Sequence, residues 1–253
     1  MKKIVLMMIA LTASLFSEVI QTIPYLNVSG SYSTFIKVFN NSSCNIKVNA
    51  TVYGDDGATN ANGSLIEYAS SIETKKTVLL WASDLKTKAS AQGVSLPNSF
   101  GSKLSMSCID ASTLKSEDVV TVVVQKSPEG QRVIPVSEPS SVDSGAKIIP
   151  YVSQSANYIT FIKVMNSSNT DINVVLKAYP DATGTEYTMN QSFPANRVTL
   201  LWANTLATTM SISENAFALE VSATSGLSNL DVVAIQKTTN GPRIIEVSTS
   251  GVN

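Results

Sequence analysis

Ile46, Val48, Ala50 and Val52 alternate with Lys47, Asn49, Thr51 and Tyr53, and Ile172, Val174, Leu176 and Ala178 repeat that pattern later in the chain. A period of two turns successive side chains to opposite faces of a strand, so each run predicts a strand with one face in a core. Val120, Val122 and Val124 are expected to behave likewise, in a run filled with β-branched residues, and the segment 232–235 reads as its shorter counterpart. Between the runs, GDDGATNANG and SPEG supply the backbone freedom that reversals need. The one helical candidate follows each tryptophan, where Ser83 or Asn204 would cap a short helix carrying Leu85 or Leu206.

The runs occur twice in one order. TFIKVFNNSS at 34–43 faces TFIKVMNSSN at 160–169, an offset of 126 residues. IPYL at 23–26 faces IPYV at 149–152, and NIKVNATVYGDDG at 45–57 faces DINVVLKAYPDATG at 171–184. TVLLWASDL at 77–85 faces VTLLWANTL at 198–206, and DVVTVVVQK, leading to Arg132, faces DVVAIQK, leading to Arg243. The offset shrinks to 121 and then 111 while the order is kept, as shorter surface connections permit. This is a tandem duplication with about seven or eight strands per copy, and frequent turn signals in a unit of this length favour two packed antiparallel sheets. The Ser-rich connector SEPSSVDSGAK carries no hydrophobic period and reads as a linker. The expected division is 1–17 leader, 19–137 first domain, 138–145 linker and 146–250 second domain.

Composition adds a compartment. The start MKKIVLMMIALTASLFS places Lys2 and Lys3 ahead of an apolar run and then small residues, the layout of a secretory signal. The apolar stretch is shorter than the roughly 18–20 residues that span a bilayer, so no membrane insertion is expected after cleavage. Loss of two lysines would take the net charge from −1 to about −3, which selects no nucleic acid as a partner. The chain has two cysteines, Cys44 and Cys108, and in an exported protein an even count favours a disulfide over buried thiols or a metal pair.

The succession TFIKV-N-S, a strand ending VYGDDG, TVLLWASDL, a valine strand and a glycine hairpin resembles the immunoglobulin-like β-sandwich modules of bacterial exported and cell-surface proteins. The resemblance covers the mature chain twice. It implies an all-β fold of two tandem immunoglobulin-like sandwiches and a setting in the periplasm or at the cell surface. The chain departs from antibody domains in lacking their Cys-Trp-Cys spacing.

Chemistry is sparse. With no histidine, a Ser-His-Asp or Cys-His site is impossible. Paired carboxylates are candidates among Asp55, Asp56, Glu67, Glu73, Asp84, Glu117 and Asp118, but Asp55, Asp56 and Asp181 fall in turn sequences, where local backbone hydrogen bonding accounts for them. A calcium site at Asp55 and Asp56 lacks the 12-residue loop pattern. No enzyme, metal or cofactor is expected.

Trp81 and Trp202 occupy one repeat position; either each plugs the end of a core or it offers a sugar-stacking face, and the flanking leucines favour the core. Lys126 with Arg132, and Lys237 with Arg243, flank the last hairpin of each copy and read as edge charges or as a grip on an anionic surface polymer. Lys37 and Lys163 are expected to leave their ammonium groups in water. The Asn-x-Ser/Thr triplets, such as those at Asn27, Asn40, Asn49 and Asn190, are expected to be chance in a chain rich in Asn and Ser.

The expected role is an exported structural or interaction protein whose partner is itself or another envelope protein; a module binding a glycan or surface polymer is the alternative. The segment Val19 to Leu26 reads as an edge strand held by backbone pairing and free to join a neighbouring molecule.

Overall fold

The computed structural model describes residues 18–55, 63–128, 130–139, 141–183, 185–239 and 241–251. The leader expected at 1–17 and the carboxylate Asp56 lie outside them. The first repeat forms β1 (Val19–Asn27), β2 (Ser33–Asn40), β3 (Ile46–Gly54), β4 (Ser64–Ile72), β5 (Thr77–Trp81), α1 (Ala82–Ala91), β6 (Ser99–Cys108), β7 (Val119–Ser127) and β8 (Gly130–Ile134). The second forms β9 (Gly145–Ser153), β10 (Thr160–Asn166), β11 (Ile172–Pro180), β12 (Tyr187–Phe193), β13 (Arg197–Trp202), α2 (Ala203–Thr209), β14 (Ala216–Ala223), β15 (Leu230–Gln236), β16 (Arg243–Ile245) and β17 (Ser248–Gly251). The fold is all-β.

The strands make four antiparallel sheets, which we number in the order in which they stack. Sheet I is β5-β2-β7-β8, sheet II is β1-β6-β3-β4, sheet III is β13-β10-β15-β16 and sheet IV is β12-β11-β14-β9-β17. Sheets I and II share one core, built on Ile36, Ile46, Val48, Phe100, Leu104 and Val123, and sheets III and IV share another, built on Ile162, Val164, Leu176, Phe193, Phe217 and Leu219. In each repeat the central pairs are nested, second strand with seventh and third with sixth; the third–sixth pair is also that of antibody constant domains, whereas second with seventh and first with sixth depart from their ABED and CFG order.

The alternation in β3 and β11 is realised: Ile46, Val48, Ala50, Val52, Ile172, Val174, Leu176 and Ala178 are all buried. The valine strand is corrected. Val119 and Val123 face the core, and Val120 and Val122 are exposed, because valines at both parities, with Thr121 on the inward side, give the run no polar outer face, and sheet pairing sets which face turns in.

The repeated decapeptide has a structural reason. The Asn40 amide donates to the carbonyls of Cys44 and Ile72 at 2.8 and 3.0 Å, and its Oδ1 accepts from the Ser42 amide and hydroxyl at 3.0 and 2.6 Å. Asn166 does the same with Thr170, Phe193 and Ser168, at 2.9, 2.9, 2.9 and 2.8 Å. Each asparagine clasps the loop between two sheets, with the Ser42 and Ser168 hydroxyls also reaching the Cys44 and Thr170 carbonyls, so that the backbone of the loop is satisfied. Asn40 is therefore a buried structural residue, and the clasp with Ser42 accounts for the triplet it begins.

Each tryptophan is itself the residue capping the helix that follows, with extended backbone and no side-chain cap; Ser83 and Asn204 lie inside the helices. Burial of Ala82, Leu85 and Ala89, and of Ala203, Leu206 and Ala207, holds the helices down. Cys44 and Cys108 form a disulfide with Cα atoms 5.7 Å apart, tying the start of β3 to the end of β6. Among the described residues no helix is long and apolar enough to cross a membrane.

Candidate functional site

The two repeats meet face to face. In β10, Ile162 and Val164 enter their own core while Phe161, Lys163 and Met165 turn the other way; in β15, Leu230 and Ala234 turn in while Asp231, Val233 and Ile235 turn out. This outward set packs on sheet II. Val233 and Ile235 belong to the core of the first repeat, and Met165 and Val198 enclose Tyr53. The fit is close at Gly101, where a Cβ would stand 2.5 Å from Met165 Sδ and 2.9 Å from Val198 Cγ2.

Charges are buried in this seam. Lys163, with 4 % of its side chain exposed, donates to Asp55 Oδ2 at 2.6 Å and to Ser99 Oγ at 2.6 Å, and its ammonium lies 5.0 Å from the centre of the Tyr25 ring. The expectation of a solvated ammonium holds for Lys37, which is exposed, and fails for Lys163, because docking of the first repeat covers the strand face on which Lys163 stands. Asp231 accepts from the Ser137 hydroxyl at 2.6 Å. Burial raises its carboxyl above the usual range, against the pull of the Ser137 and Thr22 hydroxyls and the charges of Lys147 and Lys103. Burial in turn lowers both lysines, with Asp231 opposing.

The seam changes the reading of β1 and of the connector. β1 is an edge strand, but all of it from Gln21 to Leu26 is buried, between its own core and β15. Thr22 and Ser137 exchange backbone hydrogen bonds at 2.7 and 3.0 Å along its outer edge. It is not free to leave, because side-chain burial on both faces holds it. The segment expected as a linker is fixed at both ends, by Ser137 on the first repeat and by Asp143, which accepts from the Leu227 amide and the Ser228 hydroxyl, on the second.

The nominated residues divide. Arg132 and Lys237, from different repeats, line one cleft of about 450 Å³ with Tyr25 and Phe161. Arg132 bonds Gln125 and lies over the Tyr25 ring at 5.6 Å. Lys126 sits apart, over Phe35 at 5.6 Å, and Arg243 is exposed on β16. The expectation that the tryptophans are core residues is corrected: Trp202 is 42 % exposed and Trp81 half-buried, each tilted against its neighbouring phenylalanine with centroids 5.6 Å apart. The helix each begins carries the buried leucine in its place.

Two outer faces remain. Sheet I presents Val120, 51 % exposed, with Val122, Leu79, Phe35 and Phe39 around Lys37. Sheet IV presents a groove of about 1060 Å³ lined by Asn173, Val175, Lys177, Asn190, Ser192 and Glu220, with Tyr151 and Tyr179 beyond it. The burial and carboxylate contacts of Tyr179 with Glu186 and Glu220 push its hydroxyl up to about 12, so it stays a neutral donor. Apolar side chains gathered on an exposed sheet face, rimmed by charge, suit contact with another surface. Comparison with family models, curated proteins and solved structures finds no match to this chain.

Proposed function

We propose that this chain is an exported, non-enzymatic structural or interaction protein of the bacterial periplasm or cell surface. It would consist of two tandem β-sandwich modules of immunoglobulin-like architecture with their own strand order, each built from one sequence repeat. The observation that carries this reading is the apolar outer face of sheet I, where Val120, Val122 and Leu79 lie in water in the free chain. A photo-crosslinking residue at Val122 should yield adducts with the chain itself or with another envelope protein in native envelopes, and the same residue at exposed Ser90, on α1 and away from both outer sheet faces, should not. Recovery of unmodified chain alone from both would end the reading. Export is checked by the intact mass, which should place the mature N-terminus between about residues 13 and 20.

Exposure of Trp202 and the pairing of Arg132 with Lys237 in one cleft favour a second reading, a module that binds an anionic glycan or surface polymer. Titration with an anionic polysaccharide tests it: binding that falls in both Trp202→Ala and Lys237→Ala supports it, and absent binding refutes it.

A further inference from the structure

We propose that the chain stacks head to tail on a second copy of itself, the outer face of sheet I seating on the outer face of sheet IV as sheet III seats on sheet II. This rests on the interaction reading above and names its partner.

The repeat supplies the template. Strand pairing puts Phe35, Lys37, Phe39, Val120, Val122 and Val124 of sheet I in the positions of Phe161, Lys163, Met165, Asp231, Val233 and Ile235 of sheet III. The sheet III members fill the internal seam; the sheet I members face outward, with Lys37, Val120 and Val122 exposed. On the receiving side, Tyr151, Tyr179, Asp181 and Ala218 of sheet IV stand where sheet II has Tyr25, Tyr53, Asp55 and Gly101. Tyr151 is 41 % exposed, and Asp181 is exposed. Both halves of an interface that the molecule already makes once are thus displayed again at the two ends of the stack.

The charges agree. Lys163 reaches Asp55 across the seam, and its counterpart Lys37 would reach Asp181, the counterpart of Asp55. The seam's second buried charge, Asp231, is replaced by Val120, and the lysine facing it, Lys103, is replaced by Glu220. Glu220 already has partners on its own sheet, Lys177 at 3.9 Å and the Tyr179 hydroxyl at 3.3 Å, so an apolar residue can approach without stranding a charge. Ala218 replaces Gly101, so the incoming face cannot sit as deep as in the internal seam. The contact is therefore looser than the seam and reversible. The two faces differ and lie at opposite ends, so the contact is heterologous and propagates as an open row of molecules.

The test uses the mature chain, whose own cysteines are bonded to each other. The double variant Lys37→Cys with Asp181→Cys should give a ladder of covalent multimers on mild oxidation. Mixing the two single variants should give dimers only, and neither single variant should crosslink alone. Dimers from Lys37→Cys alone would mean symmetric face-to-face pairing and would overturn the proposal, as would a monomeric chain with no ladder at high concentration. Lys37→Glu should weaken association at least about tenfold, and adding Asp181→Lys to the same chain should restore it; no change in either would equally overturn it. Ala218→Gly should tighten the contact, and loss of association in that variant counts against the template. The two readings separate at Val122: adducts there to a different envelope protein, without a ladder, refute stacking and leave the interaction reading standing, whereas no adducts refute both.

Discussion

Asp55→Asn and Lys163→Met remove opposite ends of one ion pair, and the structure makes their effects unequal. Lys163 keeps 4 % of its side chain exposed and Asp55 keeps 20 %. Removing one partner of a fully buried pair costs about 3–5 kcal/mol, because the charge left behind has no water to replace the lost partner. Asp55→Asn leaves that situation at Lys163, softened by the Ser99 hydroxyl, so a loss of about 2–4 kcal/mol is expected. Lys163→Met leaves a carboxylate on a side chain that is 20 % exposed but whose Oδ1 is buried without a partner, and the methionine still fills the space beside Tyr25, so a smaller loss of about 1–2 kcal/mol is expected. Lys37→Met, at the exposed counterpart, should stay within about 0.5 kcal/mol. Urea unfolding of the chain, followed by tryptophan fluorescence, measures all three, and the double variant closes a cycle with a coupling of about 1–3 kcal/mol. If Asp55→Asn costs no more than Lys163→Met, or the coupling is near zero, the pair is solvated and the seam is not a closed interface.

Three further outcomes follow from particular contacts. Gly101→Ala drives a Cβ against Met165 and Val198 and should destabilise the chain by about 1–3 kcal/mol in the same urea assay, with Gly101→Val worse; a neutral Gly101→Ala would show that the seam is slack. Asn40→Ala and Asn166→Ala each remove the side-chain donor to a buried carbonyl, of Ile72 or Phe193, while the Cys44 and Thr170 carbonyls keep the Ser42 and Ser168 hydroxyls; each should cost about 1–3 kcal/mol by thermal melting, alike in the two repeats, and unequal losses would show that the clasps are not equivalent. Asp231 has a raised carboxyl pKa in the folded chain, so its favourable contribution is fully present below the unfolded value near 3.8 and is lost as pH rises through the folded one; urea midpoints across that window should fall less in Asp231→Asn than in the natural chain.

Alternation made β3 and β11 legible, since Lys47, Asn49, Lys177 and their neighbours mark the face turned away from the core. The β7 run offers no such mark: VVTVVV is apolar on both faces, and its inward face is set by pairing with β2, information that lies about 85 positions away. Lys37 and Lys163 read alike in sequence because their local surroundings are the same; what separates them is which neighbouring sheet covers them, a property of the docked repeats. Asn40 and Asn166 were visible as repeated residues, and their recurrence ahead of Ser42 and Ser168 was the available signal for the clasp, obscured by the glycosylation pattern they also satisfy. The tryptophans misled because leucine neighbours suggest burial, whereas alternation places Leu80 inside and Leu79 with Trp81 on the outer side. β1 could be placed at a sheet edge from its position in the chain. Nothing in its nine residues tells that a second repeat lies over it.

The duplicated faces permit a perturbation that separates folding from contact. Val120 and Val122 stand on β7 with their side chains turned outward, so neither contributes to the core that Val119 and Val123 fill. Replacing both with threonine keeps the β-branched shape that suits a strand. Each substitution away from the core should then change stability by within about 0.5 kcal/mol. If the same side chains are covered in a stacked pair, as Val233 is in the seam, the hydroxyls enter an apolar contact without partners, and association should weaken by about tenfold for the pair of substitutions. Melting temperature and sedimentation velocity on one sample read the two effects independently. A double variant that melts like the natural chain and still associates as strongly would place the contact elsewhere than sheet I; one that unfolds would show that β7 is buried on both faces, as β15 is.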